Sequence, residues 1–320
     1  MNARFKGSTA TLLALLLVGC GGDPGAEQGD SSADTRSADP GPGSPGWQAT
    51  SLLGEELFQL EDTTGAIAAA DAELAATPDD VELIIAAARV RRNFWQYRQA
   101  MELYTRAAEL APDDWRPYRF RGHRHISVRE YANAVRDLEA ARDRAPLNWD
   151  VAYHLGLAYF LAGDFDAAAD EYVRCLELAD DADARAADSD DFRSCAANAD
   201  DPESLVAMTE WAVRALERAG RPAEAQALLD GIPSDLPIEE NLAYYHDLLF
   251  YKGELTEETL LGVGPDGPYR FETVAQGVAN RRLVQGDTAG AVELYERIMD
   301  DPWWPGFGRI AAETELARLR

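Results

Sequence analysis

Ten arginines crowd the stretch from Arg89 to Arg129, and only four acids (Glu102, Glu109, Asp113 and Asp114) interrupt them. That window carries +6 inside a chain of net charge −27. A guanidinium presents a planar fork of donors suited to carboxylate, phosphate and sulfate groups. A local reversal of sign marks an interaction surface, unless neighbouring Asp and Glu neutralise the arginines on a solvated face. The histidines carry less chemistry. His123 and His125 lie two apart, on different sides of any helix, and His123 can meet His154 only across neighbouring helices. No carboxylates accompany them at matched spacing, so they read as structural residues of a polar groove and no metal site is expected. Cys175 and Cys195 leave two readings open. A bridge between them would close a loop of about twenty residues and contribute about 3 kcal/mol; alternatively, Cys175 fills the core as a small hydrophobe.

The rest of the composition narrows the field. Fifty-seven acids against 30 Lys plus Arg argue against nucleic acid as the main partner, because phosphate binding needs a net basic face. Three cysteines are too few for a four-Cys zinc site. The chain contains no phosphate loop, no Gly-rich dinucleotide turn, no His-Glu-x-x-His and no nucleophile elbow, so neither an enzyme nor a cofactor is expected.

The elements that must position the arginines are helices. Pro78, Pro112 and Pro146 recur every 34 residues, each in an Ala-rich junction, and Trp115 and Trp149 repeat at the same interval. Between the junctions, apolar and alanine positions recur at three and four, the helical period. One unit reads Ala152, Leu155, Gly156 and Tyr159, turns at Gly163-Asp164, and continues through Ala168, Tyr172 and Cys175. The preceding units supply Tyr118, Gly122, Ala134, Leu138 and Ala141, and Ile84, Ala87, Ala100, Tyr104 and Ala107. A period of this length signals stacked helical pairs.

This pattern resembles the tetratricopeptide repeat. The resemblance implies an all-α, right-handed α-α superhelix of about six helical pairs over residues 51–320, clearest in 81–114, 115–148 and 149–182 and divergent over 203–320. Glu56 to Thr77 reads as a weaker opening pair, Asp180 to Pro202 as an acidic, solvated insertion, and Gly308 to Arg320 as a closing helix. The segments LVAMTEW (205–211), YKGELTE (251–257) and FGRIAAETEL (307–316) resemble a group of uncharacterised bacterial proteins of that family. In the repeat frame Arg89, Arg92, Arg116, Arg119, His123 and Arg124 fall on first-helix positions that line the concave surface. Arginines there resemble the way some members clamp a peptide carboxylate, although the usual Lys and Asn combination is absent. The resemblance thus implies a partner that is a protein or peptide with acidic groups or a free carboxylate. A glycan- or small-molecule-binding protein using the same arginines and groove aromatics is the alternative.

The first residues are an address. Arg4 and Lys6 precede the apolar run TLLALLLV (11–18), which is far shorter than the roughly 20 residues of a bilayer span. Leu17-Val18-Gly19-Cys20 resembles the lipobox of bacterial lipoproteins, which implies a signal peptide over 1–19 and acylation of Cys20. Residues 20–50 are dominated by Gly, Pro, Ser, Asp and Ala and read as a flexible tether. By the same resemblance, Gly21 after the cysteine favours the outer over the inner membrane of a bacterial envelope.

Overall fold

The computed structural model describes residues 42–189, 191–262, 267 and 269–320; Cys20, the signal sequence and most of the tether lie outside the described residues. The described part is a stack of antiparallel helical pairs: α2 (Val81–Asn93) with α3 (Tyr97–Leu110), α4 (Trp115–Ser127) with α5 (Tyr131–Arg144), and α6 (Trp149–Ala162) with α7 (Phe165–Glu177). After two short helices, α8 (Ala182–Ala187) and α9 (Cys195–Ala199), the pairs resume. They are α10 (Pro202–Arg218) with α11 (Pro222–Asp230), α12 (Leu242–Tyr251) with α13 (Glu257–Leu261), and α14 (Phe271–Val284) with α15 (Thr288–Ile298). A helix α1 (Ala66–Ala76) precedes the six pairs and α16 (Phe307–Leu319) follows them.

The 34-residue period has a local cause at each junction. Asp80, Asp114 and Asn148, one period apart, are the N-caps of α2, α4 and α6, and each side chain accepts a backbone N–H of the first turn at 2.9–3.2 Å. Inside the pairs, glycine sets the helix separation. A Cβ on Gly156 would stand 2.5 Å from the ring of Tyr172, and one on Gly122 would stand 2.6 Å from Leu138 Cγ. Those two large side chains are fully buried against the helix backbone, so any larger residue at Gly156 or Gly122 overpacks the pair.

Two expectations need correction. Glu56 to Thr77 is not a helical pair: Trp47–Thr50 (β1) and Glu56–Phe58 (β2) form an antiparallel hairpin, and only α1 follows. Strand β1 also falls within the stretch read as tether, because Gln48 and Ala49 are buried against the first repeat. Gln48 accepts from Arg98 N (2.9 Å) and donates to Gln99 (3.2 Å). The acidic insertion is likewise more than a solvated loop. Cys175 and Cys195 are bridged, with Cα atoms 5.3 Å apart. Around the bridge Trp149 N donates to Arg193 O (3.1 Å), Cys195 N donates to Leu147 O (2.8 Å), and Phe192 packs edge-on against Trp115.

Candidate site at the mouth of the concave face

The first helices of the early repeats carry the sequence-predicted arginines, and the structure sorts them into two groups. Arg116 is neutralised at the edge by Asp114 (2.7 Å) and by Glu82 of the preceding repeat. Arg119 is buried and paired with Asp150 of α6, while its Nη2 also lies 3.2 Å from His154 Nε2. Burial pushes the Asp150 carboxyl up, but Arg119 and His154 outweigh it and hold the group well below the usual carboxylate range.

The second group has no acid. Among the described residues no carboxylate pairs with Arg89, Arg92 or Arg124. Arg89 is exposed, its guanidinium 5.9 Å from the Phe120 ring centre. Arg92 is partly exposed and donates to the Asn93 amide oxygen (3.3 Å). Arg124 is 5% exposed and lies over the Tyr97 ring at 4.7 Å. Burial, with the nearby charges of Arg92 and Arg119 adding to it, pulls its guanidinium down to about 10, against the opposing influence of Tyr97 and Tyr104. Arg89 and Arg119 share the Phe120 ring, at 5.9 and 5.0 Å, and Phe120 packs on Tyr104 (5.5 Å); burial raises the Tyr104 hydroxyl, and the charges of Arg124, Arg92, Arg119 and Arg89 oppose that rise.

His123 sits one helical turn beyond Arg119, stacked on His154 (4.4 Å between ring centres) and on Phe307 (5.1 Å). Its Nδ1 is buried without a hydrogen-bond partner. Burial first, then the charges of Arg124 and Arg119, hold its pKa far below the ordinary value, so the ring is neutral. Among the described residues no group of three His, Cys, Asp or Glu is placed to hold a metal ion.

Sequence reasoning missed what fills the remainder of the concave face. Helix α16 closes the stack by packing on α14 and α15, and it is buried from Gly308 to Leu316 because its other side reaches residues of the earlier pairs. Phe307 packs on His123 and His154, Tyr131 and Thr314 hydroxyls meet at 2.6 Å, Glu315 pairs with Arg218 (3.0 Å), and Arg318 donates to Phe160 O (3.2 Å). Glu313 accepts from Arg129 Nη2 (2.6 Å) and from Leu52 N at the hairpin tip (2.7 Å). Just ahead of the helix, Trp304 donates to Phe58 O (3.1 Å) and packs edge-on against Trp95 and Tyr97.

The clasp on Trp304 explains a backbone anomaly. The turns between first and second helices place residues 95, 129 and 163, one period apart, in the left-handed region. Gly163 does so freely at φ 89°, but Trp95 (φ 57°) and Arg129 (φ 64°) do so against their Cβ atoms, at about 1–2 kcal/mol each. Both non-glycine side chains close on the Trp304 ring, at 5.5 Å each. Strain of this sort persists where the surrounding structure over-determines it. The turns at Trp95 and Arg129 are thus the hook that holds the C-terminal segment.

The inner wall of the later pairs is polar and closed. Glu210, Arg214 and Asp247 are almost completely buried, with Arg214 shared between the two carboxylates. Burial raises both acids, Glu210 to about 7, despite the arginine.

Residues 121–187 match the family described as tetratricopeptide repeat. The protein is similar to the crystal structure of a tetratricopeptide repeat protein from Parabacteroides merdae (14% identity, 80% of this chain and 93% of that one, TM-score 0.51). It is also similar to MamA (18% identity, 60% and 91%, TM-score 0.42) and to YrrB, described as a TPR protein with an unusual peptide-binding site (16% identity, 72% and 100%, TM-score 0.43). The comparison with curated proteins finds no match. The family's sequence is matched in 121–187, and the N-caps at 80 and 114 and the left-handed turn at Trp95 repeat the same helical pair ahead of it, so the chain has the tetratricopeptide-repeat fold.

Proposed function

We propose that the protein is a membrane-tethered, non-enzymatic scaffold that binds acidic groups of a protein partner at the mouth formed by α2 and α4. One observation carries the reading: in a chain with 57 acids, Arg89, Arg92 and Arg124 have no carboxylate among the described residues. A guanidinium as buried as Arg124 is costly without a counter-charge, and a partner's anion supplies one. Because α16 occupies the rest of the concave face, the partner meets the mouth alone, and Arg116 and Arg119 act as its walls. The tether and Cys20 lie outside the described residues; anchoring rests on the sequence, and the buried Cys175–Cys195 bridge fits an oxidising envelope.

Two measurements test the reading. The full chain, immobilised and exposed to envelope extract, is expected to retain a stoichiometric protein that the variant Arg89→Glu/Arg92→Glu loses while keeping its circular dichroism spectrum. Retention unchanged by the double variant would sink the mouth as the binding site. Separately, Cys20→Ala is expected to move the protein from the membrane to the soluble fraction with its fold intact. A Cys20→Ala protein that still pellets with membranes would remove the lipid anchor.

A further inference from the structure

This inference rests on the anion-binding reading of the mouth and concerns which anion it takes. We propose that the mouth of α2 and α4 takes a compact tetrahedral dianion, a phosphoryl group, in preference to a single carboxylate.

Two observations carry it. The first is charge. Arg89 and Arg119 both lie over the Phe120 ring, at 5.9 and 5.0 Å, Arg124 lies over Tyr97, and Asp150 is the one acid that pairs with any of these three or with Arg92 among the described residues. That leaves an excess of three positive charges, of which a monocarboxylate would neutralise one and a dianion two.

The second is the directions from which donors arrive. Arg119 Nε is buried without a partner although its Nη2 is bound to Asp150, so one edge of that guanidinium is unused. One turn further, the unpartnered His123 Nδ1 has nothing to fix its tautomer and is available as a donor. Arg124, five positions after Arg119 in α4, turns toward α3, its guanidinium lying over Tyr97, and Arg92 comes from α2. Donors that arrive from two helices and from more than one direction suit the three or more oxygens of a phosphoryl group, whereas a carboxylate offers two oxygens in one plane. Exposed Arg89 and partly exposed Arg92 leave the approach open to solvent.

Calorimetric titration of the full chain with inorganic phosphate, succinate and an Asp/Glu peptide separates the alternatives. It is done at a pH where phosphate and succinate are both dianions. Phosphate is expected to bind at least about tenfold more tightly than succinate, and Arg92→Gln to weaken phosphate by about tenfold, the loss of one charge-assisted contact. Arg92 is partly exposed and pairs with no acid, so its variant keeps the fold; Arg124→Gln, checked by melting temperature, is the second probe. Equal or tighter binding of succinate, or a phosphate affinity indifferent to Arg92→Gln, overturns the assignment. If the acidic peptide binds through Arg92 while phosphate does not, the dianion is overturned and the anion-binding mouth stands. If neither binds, both fall. A phosphoserine peptide run beside free phosphate identifies the source: tighter binding of the peptide places the group on a partner protein, and equal binding places it on the free ion.

Discussion

Replacing Glu313 with alanine is expected to lower the unfolding free energy by about 3–5 kcal/mol, read as a fall in the urea midpoint at unchanged slope. The carboxylate and the Arg129 guanidinium are 0% and 2% exposed, and Glu313 also accepts the Leu52 N–H. Truncation therefore leaves a buried cation and a buried backbone donor without partners. It also unties the C-terminal helix from the hairpin and from the α4–α5 turn at once, because Glu313 bonds both Leu52 N and Arg129. The companion variant Arg129→Met/Glu313→Leu removes both charges and is expected to recover only the part of the loss due to the unpaired buried cation, since it still leaves Leu52 N and Trp304 O without that partner. A Glu313→Ala protein within about 1 kcal/mol of the parent would mean that water reaches Arg129 and that the clasp is looser than its geometry.

Removing the disulfide is the second large effect. Cys175→Ala/Cys195→Ala is expected to lower stability by about 3 kcal/mol, the cost of freeing a closed loop of twenty residues in the unfolded chain. Both sulfurs are buried, at 1% and 2% exposure, so the bridge should resist reductant in the native state and yield only when the protein is partly unfolded. Amide exchange locates the effect. It should quicken across residues 181–200 and at Trp149, whose N–H is bonded to Arg193 O, while α14 and α15 stay protected. Uniform quickening through every pair would instead mean that the bridge acts on the whole stack.

Much of the fold was legible because the repeat writes itself at several levels. The caps at 80, 114 and 148 follow the proline junctions, and small residues mark where helices touch. What escaped was long-range. Trp95 and Arg129 gave no turn signal, since left-handed residues are recognised as Gly or Asn. Helix α16 reads as an ordinary terminal helix because Arg309, Glu313 and Glu315 look solvent-facing. Their partners, Glu55, Arg129 and Arg218, lie as far as 254 residues away in sequence. The candidate site was legible as a set of arginines, but not which of them were neutralised. Asp150 and Glu82 sit one repeat to either side, and only the stacking brings them to Arg119 and Arg116.

The hairpin's bond from Leu52 N to Glu313 spans 261 positions of sequence. A stack whose units touch only their neighbours melts from its ends and tolerates the loss of a terminal unit. Here both ends are stitched to the middle, so fraying at either one must break contacts with the other. The array should therefore unfold as a single cooperative block. Its slowest folding step should be the late arrival of the C-terminal helix, which has nowhere to dock until the early repeats and the hairpin are in place.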